Sequence, residues 1–319
     1  MKIIITALKI KEGGPLEILK EFIEIFINKG VAIDLYSNAE ISSNSKYLRQ
    51  IKITNYNSSY FHQLYWEYFG LKKIIQFDRQ SILFAFDFMP NLDLHRRYLY
   101  YHNAIAFSTI SLKEYYFDPR LFVQKFLLFF FSTLQIKKDD RVIVQQTWLK
   151  SIMRKKFHNV FVRRPRGLIK ERALVKDCSG DFFFFYPALS RVFKNHELII
   201  KAFNKITNND LKLFLTINNN GSRYEKYLFN LAKGNKNIKF LGNIEHKQVL
   251  AFLQRKKCIL LFPSKIESWG LPLSEAVSYE TNIIALDKEY AHETLRKYKN
   301  VTYLEENPLL WFEEMQKYG

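Results

Sequence analysis

A strand, a helix and a second strand follow one another in residues 1–36, MKIIITALKI KEGGPLEILK EFIEIFINKG VAIDLY. Ile3-Ile4-Ile5 is a short apolar run typical of a buried parallel strand, and Gly13-Gly14-Pro15 breaks the chain after it. Apolar residues recur with a helical period over Leu16–Ile27. Val31–Tyr36 resumes strand character, so this stretch predicts one βαβ unit.

The same alternation continues along the chain. Further strands are predicted in the first half at Ser81–Phe86, Leu99–Tyr101 and Arg141–Val144. In the second half they are predicted at Phe182–Tyr186, Leu211–Ile217, Ile238–Leu241, Cys258–Phe262 and Asn282–Leu286. The helices between them are predicted at His196–Ile206, Tyr224–Ala232, Lys247–Gln254 and Pro272–Ser278. Such alternation predicts parallel sheets with helices on both faces.

Length and composition favour two domains. A chain of 319 residues exceeds the size at which one core usually stops growing, and its 48% hydrophobic residues are ordinary for a globular protein. A basic, loop-like stretch at Arg163–Gly167 precedes the second series of strands. We expect an α/β protein of two Rossmann-like doubly wound domains and a final helix, for which packing back onto the first domain stays open. The expected bounds are 1–167, 168–305 and 306–319.

The most informative segment is FPSKIESWGLPLSEA, residues 262–276, where a predicted strand ends and a helix begins. Open parallel sheets bind ligands at the carboxyl ends of their strands. Pro272 suits a first helical turn, so the backbone N–H groups of the loop face outward, toward a phosphate or a sugar hydroxyl. Glu267 in the loop and Glu275 near the helix start can accept hydrogen bonds from vicinal hydroxyls. Taken alone, Glu275 is better explained as a residue that balances the helix dipole.

The order of residues in this segment closely resembles the signature of glycosyltransferase family four, which has the GT-B fold. The resemblance implies two domains facing across a cleft, a nucleotide-sugar donor and retention of anomeric configuration. It implies that Glu275 holds the nucleotide ribose and Glu267 contacts the donor sugar, while Trp269, Gly270 and Leu271 supply backbone donors. Tyr279-Glu280-Thr281-Asn282 departs from the family, which usually has a small residue and a glycine before the next strand.

A second motif, YPALSRVFKNHE, occupies residues 186–197 after another predicted strand. By resemblance, Lys194 neutralises the donor diphosphate. The family commonly has an arginine five positions earlier, where this chain has Leu189. Arg191 either reaches the same phosphates from a different position or is a solvated surface charge. Asn195 is equally explained as a helix cap.

The first domain offers further candidate positions, most of them by resemblance to the same family. Gly13-Gly14 fits a glycine turn that brings the backbone at Gly14 close to the leaving phosphate, which a side chain would block. His102 follows a predicted strand, in the place of a histidine that bonds the donor sugar; a histidine that simply ends a strand is the alternative. The strand-end segment Gln145–Lys150 also resembles a segment of bacterial members of the family, and Asp87, which follows Phe84-Ala85-Phe86, is a further candidate for the acceptor side.

Several classes of chemistry lack their motifs. The sequence has no Asp-any-Asp triplet, no closely spaced histidine pair, no phosphate-binding loop that ends in Gly-Lys-Ser/Thr and no nucleophilic serine elbow. Cys178 and Cys258 form no metal or redox spacing. We therefore expect no metal site and no cofactor, with the diphosphate charge met by Lys194 and helix N-termini.

The net charge of +18 lies mostly in the first 170 residues. It suits an anionic membrane face, with basic runs such as Arg154-Lys155-Lys156, or it is merely a solvated basic surface. The apolar stretch Leu121–Ile136 is interpreted as a buried helix, with a membrane-surface helix as the minor alternative. The N-terminus lacks a signal-peptide layout. We expect a cytoplasmic protein, with peripheral attachment to the inner face of the cytoplasmic membrane left open.

The resemblance therefore implies a retaining hexosyl-type glycosyltransferase, and the missing metal motifs add the expectation that it is metal-independent. Its expected partners are a nucleotide-diphosphate sugar and a glycan or lipid-linked glycan acceptor, as in lipopolysaccharide, O-antigen or other surface polysaccharide synthesis. A nucleotide-sugar-binding protein without turnover is the alternative. A nucleic-acid-binding protein is disfavoured, because the two-glutamate loop would repel a phosphate backbone and no recognition module is present.

Overall fold

The structure is a computed structural model that describes residues 2–11, 13–53, 56, 59–165, 181–219 and 221–319. The chain divides into two compact units. The first consists of Met1–Ser108 and Phe122–Leu168, and the second of Thr109–Leu121 and Ile169–Gly319. The first domain is therefore not the unbroken stretch 1–167, because a short segment from its middle groups with the second. The expected boundary at 167 and 168 and Cys178 lie outside the described residues.

In the described part of the chain, the first unit is built on a seven-stranded parallel sheet in the order β3-β2-β1-β4-β5-β6-β7. Its strands are β1 Lys2–Thr6, β2 Ala32–Tyr36, β3 Leu48–Ile51, β4 Ile82–Phe86, β5 Arg96–Tyr101, β6 Arg141–Val144 and β7 Val160–Val162. The strand order reverses between β1 and β4, which makes their carboxyl ends the switch point where such sheets bind ligands.

The helices of the N-terminal half vary widely in length. They are α1 Gly13–Asn28, α2 Tyr60–Tyr65, α3 Leu71–Ile74, α4 Leu112–Phe117, α5 Arg120–Phe131 and α6 Thr147–Met153. A π-helical segment, Trp66–Gly70, joins α2 to α3. The βαβ unit of residues 1–36 is confirmed as β1, α1 and β2, whereas β3, β7 and the short helices had no clear periodicity in the sequence.

The helix α5 is shorter and more exposed than expected. The sequence indicated a buried helix over Leu121–Ile136, but α5 ends at Phe131 and leaves Phe126 and Phe130 49% and 52% exposed. That interpretation was wrong, because a helix that is apolar on nearly all sides cannot bury every side against one sheet.

The second unit contains a six-stranded parallel sheet in the order β10-β9-β8-β11-β12-β13 within the described residues. Its strands are β8 Phe183–Tyr186, β9 Lys212–Leu215, β10 Ile238–Phe240, β11 Cys258–Phe262, β12 Asn282–Leu286 and β13 Val301–Leu304. Every residue of β8 and β11 is buried, as their continuous apolar sequences predict for central parallel strands. Cys258 at the start of β11 is a free, buried thiol.

The helices that follow these strands are α7 His196–Phe203, α8 Arg223–Leu231, α9 His246–Leu253, α10 Leu271–Ser278, α11 Glu289–Leu295 and α12 Pro308–Gln316. The helix α12 groups with the second unit. Its buried Trp311 and Met315 belong to the hydrophobic core of the second unit, and the helix packs against α7. Burial of the Trp311 ring in this core favours the position, because it removes a large apolar surface from water.

Candidate active site in the second unit

The two sequence motifs meet at the switch point of the second sheet. Strands β8 and β11 are hydrogen-bonded neighbours, although β9 and β10 lie between them in the chain. The loop after β8 carries Lys194, and the loop after β11 carries Glu267. Because both loops leave the carboxyl ends of adjacent parallel strands, they converge on the place where doubly wound sheets bind ligands.

Lys194 and Glu267 are brought into direct contact. The Lys194 ammonium donates a hydrogen bond to Glu267 Oε1, and the side chains are only 21% and 13% exposed. The neighbouring backbone holds the pair, since Lys265 N–H donates to the Phe193 carbonyl at 2.8 Å and the Tyr186 hydroxyl donates to the Lys194 carbonyl at 2.9 Å. Lys194, predicted to bind the diphosphate, and Glu267, predicted to bind the donor sugar, therefore lie side by side at the ends of β8 and β11.

The start of helix α10 depends on a glycine. Gly270 has a φ of +79°, and a Cβ there would lie 3.1 Å from Leu273 and 3.3 Å from Phe262. Any other residue would be both strained and crowded. Leu271 begins α10, and Pro272 occupies the first turn, where its missing N–H costs nothing. The first N–H groups of a helix have no partner within it, so the start of α10 is the place where the sequence predicted backbone donors from residues 269–271.

Trp269 braces this loop from within. Its ring nitrogen donates to Ser274 Oγ at 2.7 Å, and its carbonyl accepts from Thr294 Oγ1 at 2.6 Å. The side chain is buried, so it fixes the loop against helices α10 and α11. Because the Trp269 side chain is buried, only its backbone is free to take the predicted role of a hydrogen-bond donor to the ligand.

Glu275 lies in α10 with a partner that the sequence did not suggest. Glu275 Oε1 lies 2.7 Å from Nε2 of His246, the first residue of α9. Glu275 is buried, whereas the His246 side chain is 39% exposed. No motif marks His246, because its meeting with Glu275 depends on how α9 and α10 pack.

Arg191 is engaged by the segment that the first half of the chain contributes to this unit. Its guanidinium lies 3.7 Å from a carboxylate oxygen of Asp118, just after α4. The neighbouring Lys113 binds Glu197 through both carboxylate oxygens, at 2.6 and 2.8 Å. The Arg191 side chain is 56% exposed and pairs with Asp118, and its link to Lys194 is through the backbone, where Lys194 N–H donates to the Arg191 carbonyl at 2.9 Å. The sequence gave no sign of Asp118.

His196, the first residue of α7, is buried inside the second unit. It is fully buried, its ring lies 4.7 Å from that of Tyr186, and its Nε2 lies 3.3 Å from the Ala188 carbonyl. Burial lowers the pKa of His196 to about 3, with Lys194 adding to the effect. The ring is therefore neutral near physiological pH and stabilises the loop after β8.

The turn before β12 keeps the form that a glycine would give it. Glu280 has a φ of +59°, in the left-handed region that glycine favours. The departure from the family pattern at Tyr279–Asn282 therefore changes the residue but not the turn. A left-handed φ at a residue other than glycine is a local strain.

The remaining predicted residues lie in the first unit. Gly14 is in the first turn of α1, after Gly13 with a φ of +71°. His102 follows β5. Its backbone N–H donates a hydrogen bond to Asp87 Oδ1 at 3.3 Å. Its ring Nδ1 lies 3.2 Å from the same oxygen but forms no hydrogen bond with it. Asp87 follows β4 with a φ of +60°. The sheet thus joins His102 and Asp87, which the sequence proposed separately.

The described contacts of the Gln145–Lys150 segment are hydrogen bonds within the first unit. Gln145 is buried and its amide nitrogen donates to the Tyr100 hydroxyl at 3.0 Å. Trp148 Nε1 donates to Gln146 Oε1 at 2.7 Å at the start of α6. The first bond ties the residue after β6 to β5, and the second is local to the start of α6.

Sequence reasoning missed a buried carboxyl near Asp87. Glu67 lies in the π-helical segment, and its Oε2 has no hydrogen-bond partner among the described residues. Burial raises the pKa of Glu67 well above its ordinary value, and the Asp87 carboxylate raises it further. A proton on Glu67 removes the cost of an unpaired buried charge.

The described residues include no group of three or more histidine, cysteine, aspartate or glutamate side chains arranged to hold a metal ion. Among the same residues, no helix combines the length and the apolar character needed to cross a membrane.

Solved structures share this fold over nearly the whole chain. WaaG, a glycosyltransferase involved in lipopolysaccharide biosynthesis, is 13% identical, with a TM-score of 0.74 over 99% of this chain and 90% of its own. Sucrose-phosphate synthase from Thermosynechococcus elongatus is 14% identical, with a TM-score of 0.69 and coverages of 99% and 89%. HepE from Anabaena, in complex with UDP and glucose, is 12% identical, with a TM-score of 0.67 and coverages of 99% and 89%. No curated protein matches the sequence.

Like these solved structures, the chain has the GT-B fold, with two Rossmann-like domains. Residues 170–309, which contain both loops of the candidate site, match the family of group 1 glycosyltransferases. The resemblance of the sequence motif to a glycosyltransferase family is confirmed for these residues.

Proposed function

We propose that this protein transfers a sugar from a nucleotide-diphosphate sugar to a glycan acceptor with retention of configuration. The observation that carries the proposal is the contact of Lys194 with Glu267 at the switch point of the second sheet, beside the open start of α10. A cation, a carboxylate and unpaired N–H groups in one place suit a sugar joined to a diphosphate.

Each group has a distinct task in the proposed reaction. Lys194 and the N–H groups of α10 stabilise the negative charge on the leaving diphosphate. Glu267 binds hydroxyls of the donor sugar, and Glu275 binds the ribose. His102 in the first unit would bond a sugar hydroxyl, and the backbone at Gly14 would approach the leaving phosphate.

The transfer exchanges one bond at the anomeric carbon. The bond to the diphosphate oxygen breaks, and the acceptor oxygen bonds to the same carbon on the face that the phosphate leaves. The leaving phosphate takes the proton of the acceptor hydroxyl. Lys194 and the start of α10 meet the diphosphate charge, so we propose that no divalent cation is required.

The proposed acceptor is a growing bacterial surface glycan, and the donor sugar a hexose. WaaG acts in lipopolysaccharide biosynthesis, and HepE was solved with UDP and with UDP-glucose, which supports both assignments by analogy of fold. A lipid-linked form of the acceptor would require the enzyme to work at the inner face of the cytoplasmic membrane.

An exposed aromatic face of the first unit supports membrane contact. We define the aromatic face by the exposed rings of α2, the π-helical segment and α5: Phe61, Tyr65, Phe69, Phe122, Phe126, Phe129 and Phe130. The Tyr68 hydroxyl donates to the Phe131 carbonyl at 2.6 Å, which joins these elements. Exposed apolar patches of this kind mark interaction sites, and the basic charge of the first half favours an anionic lipid surface.

Transfer and donor binding are tested together. A panel of nucleotide sugars screened by thermal shift identifies the donor, because a bound donor raises the melting temperature. Release of nucleotide and formation of product are then measured with that donor. Glu275→Ala should lower transfer at least about a hundredfold, whereas the exposed Glu313→Ala should not, and EDTA should leave the wild-type rate unchanged.

The same assay contradicts the proposal in two ways. A donor that binds but never releases nucleotide would identify a binding protein without turnover. Wild-type transfer by Glu275→Ala would remove the assigned ribose contact, and loss of transfer in EDTA that Mg²⁺ restores would show that a metal takes part.

A further inference from the structure

Glu306 lies beside the candidate site, although no sequence motif marks it. It is in the short loop between β13 and α12, and β13 lies two strands away from β11 in the second sheet. Its Oε1 accepts a hydrogen bond from the Asn195 amide nitrogen at 3.2 Å and lies 2.6 Å from the Lys265 ammonium nitrogen. One carboxylate oxygen therefore joins the loop after β8 to the loop after β11.

Asn195 connects this oxygen to Lys194, its neighbour in the chain. It is buried and has a φ of +57°, in the left-handed region that asparagine adopts more readily than most residues. It stands immediately before the first turn of α7, but its side chain forms no capping hydrogen bond there. The bond to Glu306 therefore takes up the Asn195 amide and fixes the residue that follows Lys194.

Lys265 connects the same oxygen to Glu267, two positions further along the chain. Its N–H donates to the Phe193 carbonyl at 2.8 Å, so the two loops are also bonded through their backbones. Its ammonium lies 3.8 Å from Oε1 of Glu114, a buried oxygen without a hydrogen-bond partner among the described residues. Lys265 is thus held between two carboxylates, one from α4 and one from the loop before α12.

We propose that Glu306 is a positioning residue for sugar transfer, which sets the spacing of the two loops at which Lys194 meets Glu267. Among the described residues, Glu306 bonds to Asn195 and Lys265 and to neither member of that pair. It therefore acts through the loops and not on the ligand. A role in transfer rests on the proposed function, whereas the placement of Lys194 does not. An ammonium that is already fixed binds a diphosphate without an added ordering cost.

The exposure of Glu306 allows positioning to be separated from folding. Its side chain is 43% exposed, and ion pairs as open to water as this one contribute little to stability. Glu306→Ala should therefore keep the melting temperature of the wild type within about 2–4 °C. Glu305→Ala is the matched control, because it removes an exposed carboxylate from the same loop.

Calorimetric titration of the full chain with UDP tests the proposal. Glu306→Ala should weaken UDP binding about three- to tenfold, because the Lys194 side chain then has to be ordered when the diphosphate binds. Glu306→Gln should bind nearly as the wild type does, since an amide oxygen still accepts from Asn195 and Lys265. Unchanged binding in Glu306→Ala, or an equal loss in Glu305→Ala, would overturn the proposal.

A double variant shows whether Glu306 acts through Lys194. Lys194→Ala/Glu306→Ala should bind UDP no more weakly than Lys194→Ala alone, because no ammonium is left to position. A further loss in the double variant would mean that Glu306 meets the ligand itself, which also overturns the proposal. Lys265→Met removes the same link from its other side and should match Glu306→Ala.

A measurement without ligand separates this proposal from the proposed function. In protein with isotope-labelled lysine, the NMR signal of Lys194 Cε is assigned by its loss in Lys194→Ala. It should shift in Glu306→Ala and stay in place in Glu305→Ala, and an unmoved signal in Glu306→Ala would overturn the positioning role. A protein in which the signal shifts but which neither binds UDP nor transfers sugar would contradict the proposed function alone.

Discussion

Lys194 and Glu267 lie 73 positions apart in the chain, yet they form an ion pair where the loops after β8 and β11 meet. The pair holds a positive and a negative group ready for a ligand that carries both phosphates and hydroxyls. Its position follows from the sheet order, because β11 pairs with β8 and not with the strand before it in sequence.

Loss of either member of this pair should affect transfer more than folding. Lys194→Ala and Glu267→Ala should each lower kcat/KM about a hundred- to a thousandfold, as removal of preorganised charge does in other active sites. Steady-state transfer with the identified donor measures this. The double variant should lose less than the product of the two single effects, because the residues act as a unit. Lys236→Ala, an exposed lysine, is the control; multiplicative losses would show that the two act independently.

His246 should position Glu275 for the nucleotide. Its Nε2 lies 2.7 Å from Glu275 Oε1, so His246→Ala leaves the carboxylate without that partner. We expect UDP to bind about five- to thirtyfold more weakly, since a hydrogen bond to a charged group contributes about 1–2 kcal/mol. The control is His292→Ala, which removes a similar but half-exposed pair with Asp287 at 2.6 Å. Equal losses in the two variants, measured by calorimetry, would argue against a role at the nucleotide.

The strained turn at Glu280 offers a test of stability. Glu280→Gly should raise the unfolding free energy by about 0.5–1 kcal/mol, because the relief of a left-handed φ exceeds the added freedom of the unfolded chain. Urea denaturation measures the change. Glu280→Ala keeps the strain and should give no gain, so a gain with alanine would point to charge and not to backbone conformation.

Acid should destabilise the second unit through His196. The folded pKa of about 3 lies below that of an unfolded histidine, so the unfolded state binds a proton first as the pH falls. Stability is therefore lost as the pH drops below about 6.5, at up to roughly 1.4 kcal/mol per pH unit toward the folded pKa.

The slope with pH identifies this contribution. His196→Gln should flatten the dependence of the unfolding free energy on pH between about 6.5 and 4, whatever its effect on absolute stability. His158→Gln, which replaces an exposed histidine, should leave the slope unchanged. Equal slopes for wild type and His196→Gln would contradict the neutral, buried state of His196.

The aromatic face should attach the protein to anionic membranes. Phe126→Ser/Phe130→Ser removes two exposed rings whose centroids lie 4.7 Å apart in a tilted arrangement. We expect binding to phosphatidylglycerol vesicles to fall about tenfold or more, because each ring loses apolar burial at the interface. Co-sedimentation measures binding, and Phe161→Ser removes a half-exposed ring on β7 as the control. Wild-type sedimentation of the double variant would exclude the aromatic face.

The fold was largely readable from the sequence because its central strands are continuous apolar runs. The predicted strands Cys258–Phe262 and Asn282–Leu286 are confirmed to the residue as β11 and β12. Edge strand β3, Leu48–Ile51, was missed because its sequence, LRQI, is half polar and only partly buried. The exposure of α5 was missed because composition reports how apolar a helix is, and not how much surface is available to cover it.

The sequence by itself determined the two series of strands and helices and the strand-to-helix corner within residues 262–276, because each depends on short-range pattern. Only the tertiary structure decided that Lys194 contacts Glu267, that His246 contacts Glu275 and that Asp118 lies beside Arg191. Such pairs join residues from different loops, and their meeting depends on strand order and helix packing, which no local pattern encodes.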